Sequence, residues 1–389
     1  MAGIIVKPRA RIFHGHDWVY ASDVQKTFGA PEPGEVISLK DFKDRPLGSA
    51  IYNPESQIVA RRISRRKQEL DHDFFVRRLQ MAKKWREQQA TNPHLCRVVW
   101  SEADGLPGLV IDRYGDHLVM QTLTLAMDQR IDLIAKAAVE VFEPTSILVR
   151  NDAPIRKAEG LTEDLRWVHG SSPEPFEVST KDGLIFEVNL DTGQKTGLYL
   201  DQLNSYQDVA RFCEGRRVLD VFCNQGGFGL AAARAGATEV TCVDVSAEAL
   251  AATNRNAELN GVSDRVKTIE HNAFDFLKHC EDKFDLIILD PPSFTKNRKS
   301  VKDAMRGYKE IHLRALKMLD KGGILSTFCC SHHVTKEEYL GNAIGAAVDA
   351  KRTLRLLQTH QQSLDHPILP AIPETEYLKG FTFDLIPAR

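Results

Sequence analysis

The sequence lacks the features that mark several large protein classes. No apolar stretch approaches the roughly 20 residues needed to span a bilayer. The opening Met1-Ala2-Gly3-Ile4-Ile5-Val6-Lys7-Pro8 carries too short an apolar run for a secretory signal, so a cytoplasmic location is expected. Cysteine is scarce: seven residues, at 96, 213, 223, 242, 280, 329 and 330. The number is odd, and no C-x-x-C pair or Cys/His grouping has zinc spacing. A disulfide scaffold and a metal site are therefore not expected, and the thiols should be reduced. Internal repeats and low-complexity tracts are also missing, which excludes a repeat architecture.

What is present describes a globular chain. Hydrophobic residues make up 42% and charged residues 27% of 389, enough for two or three domains. The net charge of −2 is unevenly spread. Residues 1–100 hold 18 Lys+Arg against 11 Asp+Glu, and residues 101–389 hold 33 against 42. A basic N-terminal part on an acidic body suits a polyanion partner. A solvated basic face is the plainer alternative.

The most informative stretch is Arg217-Val218-Leu219-Asp220-Val221-Phe222-Cys223-Asn224-Gln225-Gly226-Gly227-Phe228-Gly229-Leu230. It reads as a buried strand, a glycine turn and the start of an alanine-rich helix, the first βα unit of a doubly wound sheet. Gly226, Gly227 and Gly229 permit a sharp turn and a close ligand approach. The helix N-terminus offers free N–H groups. Asp220 should face the crevice at the end of the strand.

Strands and helices then alternate. Strands are expected at 240–244, 266–270, 284–290 and 324–330, and helices at 202–212, 247–260 and 305–319. This is an α/β fold with a mainly parallel sheet. Residues 1 to about 70 read as a small β-rich domain, with strands at 36–39, 47–54 and 58–64. A helix follows at 71–89, and a second β-rich block fills 95–190, with strands at 96–100, 118–123, 146–150 and 186–190 and a helix at 131–141. Within that block Glu102 to Gly115 reads as turns organised by Asp104 and Asp112. Lys7, Arg9 and Arg11 beside His14, His16 and Trp18, with Arg61, Arg62, Arg65, Arg66 and Lys67, mix cations and aromatics in a way that suits RNA.

Asp244 ends the second strand, 24 residues after Asp220. A carboxylate there accepts from ribose hydroxyls, in NAD and S-adenosylmethionine proteins alike. The glycine loop departs from the spaced G-x-G-x-x-G fingerprint. Asp290-Pro291-Pro292-Ser293-Phe294 ends the fourth strand and forces the chain out of the sheet at the crevice. Loops of this kind hold the target base in nucleic-acid methyltransferases, which favours S-adenosylmethionine. Asp220 would then lie near the amino-acid end of the cofactor and Asp244 at the ribose. Asn272, or Asp275 in its place, would meet the adenine.

Thr327-Phe328-Cys329-Cys330-Ser331 ends the fifth strand. Methylation at carbon 5 of a pyrimidine needs a thiolate that first adds to carbon 6. Strand alternation turns only one of the two cysteines to the site. Cys223 and Cys242 read as packing residues. Transfer to a guanine nitrogen needs no thiol and is the rival enzyme reading. A non-catalytic RNA-binding assembly factor is the rival from another class, and an NAD-dependent dehydrogenase is a distant third.

These motifs resemble the RlmI family of 23S ribosomal RNA cytosine-5 methyltransferases. The likeness also runs through Glu102-Ala103-Asp104-Gly105-Leu106-Pro107-Gly108-Leu109, Thr196-Gly197-Leu198-Tyr199-Leu200-Asp201-Gln202, Asp365-His366-Pro367 and Glu374-Thr375-Glu376-Tyr377-Leu378-Lys379-Gly380. It implies a PUA-like domain over 1–70, a central EEHEE α+β domain with a leading helix over 71–190, and a Rossmann-like methyltransferase domain over 191–389. It implies 5-methylcytosine in large-subunit rRNA, with S-adenosylmethionine as cofactor and RNA as partner. Cys330 takes the position of the catalytic cysteine in the family's T-C-S-C-S segment, and Asp290 is the candidate proton acceptor. Gln202, Asp220, Asn224, Gly226, Gly227, Asp244, Asn272 and Asp290 become the expected cofactor contacts. Phe328, Cys329, His332 and His333 depart from the family pattern, and so does Leu203. A homodimer is one of the assemblies the sequence allows.

Overall fold

The computed structural model describes residues 2–89, 91–191, 198–295 and 297–386. They form two compact units, each made of separate chain segments. Unit 1 takes residues up to Val178 together with Val188–Leu200 and Leu364–Thr375. Unit 2 takes Ser179–Glu187, Asp201–Ser363 and the residues from Glu376 onward. The segment Gln194-Lys195-Thr196-Gly197 singled out in the sequence lies outside the described residues.

Unit 1 contains two sheets. The first has six strands from residues 3–64, including Val36–Lys40, Pro46–Tyr52 and Ala60–Ser64 near the expected places. Gly3–Val6, Trp18–Val19 and Val24–Phe28 were not anticipated. The second sheet has five strands and is covered by two mutually packed helices, His72–Gln88 and Ile131–Phe142. Asp71 caps the first helix by accepting from Phe74 N at 2.8 Å, which closes one of its orphan donors. Leu109–Tyr114 is a strand rather than part of a turn segment. Glycines and prolines upstream suggested turns, but the run Leu109-Val110-Ile111 is buried on both faces of the sheet. Asp112 therefore does not organise a turn: it is fully buried and pairs with Arg97 at 2.7 Å. Asp104 does organise one, accepting from Trp100 N at 2.6 Å.

Unit 2 is built on a seven-stranded sheet. Its strands are β1 (Arg217–Val221), β2 (Glu239–Asp244), β3 (Val266–Glu270), β4 (Phe284–Leu289), β5 (Leu319–Cys329), β6 (Thr353–Gln361) and β7 (Lys379–Ile386). Their spatial order is β3-β2-β1-β4-β5-β7-β6. The first five run parallel, and β7 pairs antiparallel with both β5 and β6. The helices are α1 (Leu203–Ala210), α2 (Gly227–Arg234), α3 (Ala247–Leu259), α4 (Ala273–His279), α5 (Val301–Met318) and α6 (Lys336–Asp349). The strand order reverses between β1 and β4, and open sheets of this type bind ligands at that switch point. β6 and β7 were not expected from the sequence. No helix of the described residues is long and apolar enough to cross a membrane.

Buried ion pairs hold unit 1 together. Glu159 accepts from Ser56 Oγ at 2.6 Å and Asn53 Nδ2 at 2.9 Å, and pairs with Arg61 at 2.9 Å. Removing one partner of such a group leaves an uncompensated buried charge. Glu159→Ala should lower unfolding free energy by about 3 kcal/mol, measured by urea titration of the far-ultraviolet circular dichroism. A loss below about 1 kcal/mol would show that water takes over the role of the carboxylate.

Candidate active site

β1 ends at Val221, and the chain then enters the left-handed region at Phe222 (φ 66°), Asn224 (φ 49°) and Gly226 (φ 83°). A phenylalanine at positive φ costs about 1–3 kcal/mol and persists only where its surroundings fix it. Here they do. Phe222 N and Cys223 N both donate to Val243 O, at 2.9 and 3.1 Å, and Gly226 N donates to Cys223 O at 2.8 Å. Thr253 Oγ1 holds Asn224 O at 2.9 Å, and Asn256 Nδ2 holds Gln225 O at 3.2 Å. The loop is thus tied to β2 and α3 along its length.

The glycines serve this packing. A Cβ on Gly226 would meet Thr253 Cγ2 at 2.7 Å, and one on Gly227 would meet Tyr206 Cζ at 2.3 Å. One on Gly229 would meet Cys242 Sγ at 2.5 Å. The space their missing side chains leave is filled by protein, so a ligand would meet the loop's polar backbone and carboxylates.

Three carboxylates end neighbouring strands. Asp220 is wholly buried, and its Oδ2 accepts from Gly229 N at 2.8 Å. Its Oδ1 has no hydrogen-bond partner. Burial, and then the charges of Asp290 and Asp244, push its carboxyl up to about 7. Asp244 is half-buried and accepts from Asn224 N at 3.0 Å and Ser246 N at 2.9 Å. It links the loops after β1 and β2. Asp290 follows β4, half-buried, and its Oδ2 accepts from Gln202 Nε2 at 3.0 Å. Gln202 is itself buried, and its Oε1 is a second acceptor without a donor. Two buried acceptors lacking donors, beside carboxylates, call for a cationic or hydroxylated ligand.

The ends of β4 and β5 are fastened together. Ser293 Oγ and Ser331 Oγ lie 2.7 Å apart, and Tyr308 OH reaches Ser331 Oγ at 3.1 Å. Phe294 anchors the proline loop against Tyr308, with ring centroids 4.6 Å apart, and against Phe274 at 5.6 Å. Lys379 is buried at the start of β7 and donates to Ser331 O and Val334 O, each at 2.6 Å. Burial lowers its ammonium pKa, while the nearby Cys329 and Cys330 act in the opposite sense. Cys329 is fully buried in the core of unit 2, with its thiol 3.4 Å from Tyr308 OH. Cys330 is half-exposed just past the strand end. Cys329 closes a run buried throughout, and Cys330 is the first residue beyond it. Cys223 is inert by comparison: its hydrogen bond with Cys242, and then burial, push its thiol well above the ordinary value.

Asn272 follows β3, next to His271, whose N donates to Asp244 O at 2.9 Å. It is exposed and caps α4, its Oδ1 accepting from Phe274 N at 3.0 Å and Asp275 N at 3.3 Å. In unit 1 the predicted RNA-facing cations divide into two groups. Lys7, Arg9, Arg65, Arg66 and Lys67 are exposed, and so is Arg11, which meets Glu374 at 3.4 Å. Arg61 is held between Glu159 and Glu102, and Arg62 is buried 2.6 Å from Asp17. The charges of these two are already balanced within the fold.

The supporting roles of Tyr206, Thr253, Asn256, Tyr308, Ser331 and Lys379 escaped the sequence reading. One signal was available. Asn256 and Asn260 recur four apart on a helix, where asparagine is disfavoured unless its side chain serves a backbone. Asn256 Oδ1 accepts from Glu187 N at 2.9 Å while its Nδ2 holds the glycine loop.

Known proteins are similar to this chain in sequence and fold. A family model for S-adenosylmethionine-dependent methyltransferases matches residues 159–360, and a PUA-like domain model matches residues 4–65. Proteins named ribosomal RNA large subunit methyltransferase I are similar over nearly the whole chain. The Erwinia tasmaniensis protein is 38% identical over 391 residues, covering 98% of this chain and 99% of its own. The Aeromonas hydrophila protein is 38% identical over 388 residues, covering 97% of each. Among solved structures, a Streptococcus mutans chain described as a SAM-dependent methyltransferase superposes with a TM-score of 0.84 at 22% identity, covering 99% of this chain and 100% of its own. A methyltransferase solved with SAH superposes at 0.85 and 23% identity, with the same coverage.

S-Adenosylmethionine fits the orphaned acceptors. Its α-ammonium group would supply donors to Asp220 Oδ1 or Gln202 Oε1, and its ribose hydroxyls would donate to Asp244. Asp220 carries a folded pKa of about 7 against an ordinary 3.8. The stability contributed by its protonated form is complete below pH 3.8 and is lost as pH rises through 7. A bound cation favours the ionised form, so binding releases a proton below pH 7. Affinity for S-adenosylmethionine should therefore fall by up to about tenfold per pH unit as the pH drops below 7, measured by calorimetry between pH 5 and 8. Asp220→Asn should weaken binding at pH 8 and flatten this profile. A wild-type profile already flat across that range would contradict the role given to Asp220.

Proposed function

Because the chain belongs to the ribosomal RNA large subunit methyltransferase I family, we propose that it forms 5-methylcytosine in 23S rRNA through a covalent cysteine mechanism. The observation that carries this reading is the half-exposed Cys330 at the end of β5, fastened to the Asp290–Phe294 loop through Ser331 and Ser293. Transfer to a guanine nitrogen would leave that thiol without a task.

S-Adenosylmethionine supplies an electrophilic methyl group. Cys330 thiolate adds to carbon 6 of the cytosine, and the electron pair moves to carbon 5. Carbon 5 takes the methyl group, a base removes its proton, and the thiolate leaves as the ring double bond re-forms. Asp290 is the candidate base, directly or through a water, and Gln202 orients its carboxylate. Gln202, Asp220, Asn224, Gly226, Gly227, Asp244 and Asn272 form the cofactor site in this reading, the two glycines through their backbone. Lys379 is a positioning residue that fixes the segment after Cys330. Lys7, Arg9, Arg11, Arg65, Arg66 and Lys67 offer charge to RNA in a cytoplasmic setting. The chain reads as three domains: PUA-like over 1–70, central EEHEE over 71–190 and methyltransferase over 191–389.

The two adjacent cysteines provide the test. Cys330→Ala should abolish 5-methylcytosine in 23S rRNA, read by nucleoside mass spectrometry, while S-adenosylmethionine binding stays intact. Cys329→Ala should keep the modification and lose about 1 kcal/mol of stability, the cost of a small cavity. Retention of 5-methylcytosine by Cys330→Ala would remove the thiol from the mechanism. A product methylated on a guanine nitrogen would replace the reaction altogether.

A further inference from the structure

Unit 1 contains a cleft of about 210 Å³ lined by Arg62, Arg65, Arg78, Glu102 and Gly105, among others. Arg78 and Arg65 differ from those arginines of the unit that pair with acids. Arg61, Arg62, Arg86, Arg97 and Arg156 each face a carboxylate within 4 Å. Arg78 and Arg65 face none among the described residues, although Arg78 is half-buried. Burial, and the neighbouring charge of Arg77, hold its guanidinium below the usual arginine value.

Arg78 is also held rigidly. Its Nη2 donates to Ile63 O at 3.0 Å, and its guanidinium lies over the Phe74 ring, 5.4 Å from the centroid. On the other side it rests against Gly105, in the left-handed region at φ 68°, where a Cβ would come within 3.0 Å of Nη1. Arg65 is fixed at its backbone: a Cβ on Gly48 would meet Arg65 Cα at 2.8 Å. The acids in the cleft are engaged elsewhere. Asp17 binds Arg62, and Glu102 accepts from Trp18 Nε1 at 2.8 Å and from Ser101 Oγ.

A preorganised guanidinium without a counter-ion, beside a second free cation, is a ready anion site. We propose that this cleft binds a phosphodiester of the RNA substrate, with Arg78 as its anchor and Arg65 at its mouth. The assignment rests on the RNA reading above and extends it from the first sheet to the helix His72–Gln88. It also gives Gly105 a task, since only a residue without a side chain leaves the fork room.

The experiment is filter binding of the full chain to protein-free 23S rRNA transcribed in vitro, over a range of salt. Arg78→Gln removes the charge, and with it the Nη2 donor to Ile63 O. It should weaken binding roughly three- to thirtyfold and lower the salt slope by about one. Arg65→Ala should weaken it less, and Arg77→Gln, the same charge change on the exposed neighbour, should have the smallest effect. Wild-type binding with an unchanged affinity and slope for Arg78→Gln would overturn the cleft alone. Equal losses for Arg77→Gln and Arg78→Gln would overturn it too, since the effect would then be one of net charge. If the wild-type chain binds S-adenosylmethionine but no rRNA, the RNA reading itself fails, and the cleft with it. Thermal unfolding of each variant separates lost binding from lost fold.

Discussion

Three carboxylates converge at the carboxyl ends of β1, β2 and β4, and the rest of unit 2 is arranged to keep them there. Burial, and to a lesser degree the charges of Asp290 and Asp244, push the carboxyl of Asp220 up. It is wholly buried with a single donor, Gly229 N, for its two oxygens. Asp244, in contrast, accepts from two loop N–H groups, Asn224 N and Ser246 N. A cationic ligand resolves the tension that the strand order creates. The site is thus selective for positive charge before any contact with an adenine is considered.

Rigidity at this point comes from packing against protein. The strained Phe222 and Asn224, the left-handed Gly226 and the close Tyr206–Gly227 approach would be unstable as isolated features. They persist because β2, α1 and α3 each take hold of the loop. The proline loop is fixed by a different device: an aromatic anchor, Phe294, and a serine-to-serine bond to the end of β5. The first device secures the loop after β1 and the second secures the loop after β4. The two meet where the Phe222 ring packs edge-on against Phe294, with centroids 6.4 Å apart.

Much of this was legible in the sequence. The glycine turn, the aspartates at strand ends and the Asp290-Pro291-Pro292 exit depend on local backbone chemistry, which a short window contains. Strand parity admitted only one of Cys329 and Cys330 to the site, and the likeness to the family's cysteine segment chose Cys330. β6 and β7 were missed because neither fits the βα rhythm. Thr353–Gln361 is a largely exposed strand at the sheet edge, and Lys379–Ile386 inserts antiparallel between it and β5. The supporting residues were missed for a third reason. Ser331, Tyr308 and Lys379 lie up to 71 residues apart in sequence and meet only when the sheet has closed.

Charge shows the limit of counting. The first 100 residues carry seven more cations than anions, yet that figure says little about what an RNA would meet. Arg61 and Arg62, which looked like part of one basic run, are consumed by Glu159 and Asp17. Arg86 and Arg97 are consumed by Asp104 and Asp112 from beyond residue 100. A cation paired inside the fold releases no counter-ion when a polyanion docks, so it adds nothing to the salt-dependent part of binding. What matters is the subset left unpaired, and burial marks it better than sequence does. An exposed lysine can be free at little cost. A half-buried arginine without an acid gives up hydration that no partner in the fold replaces, and such a cost persists most readily where a ligand offsets it. By that criterion Arg78 says more about the partner than the whole N-terminal excess of charge.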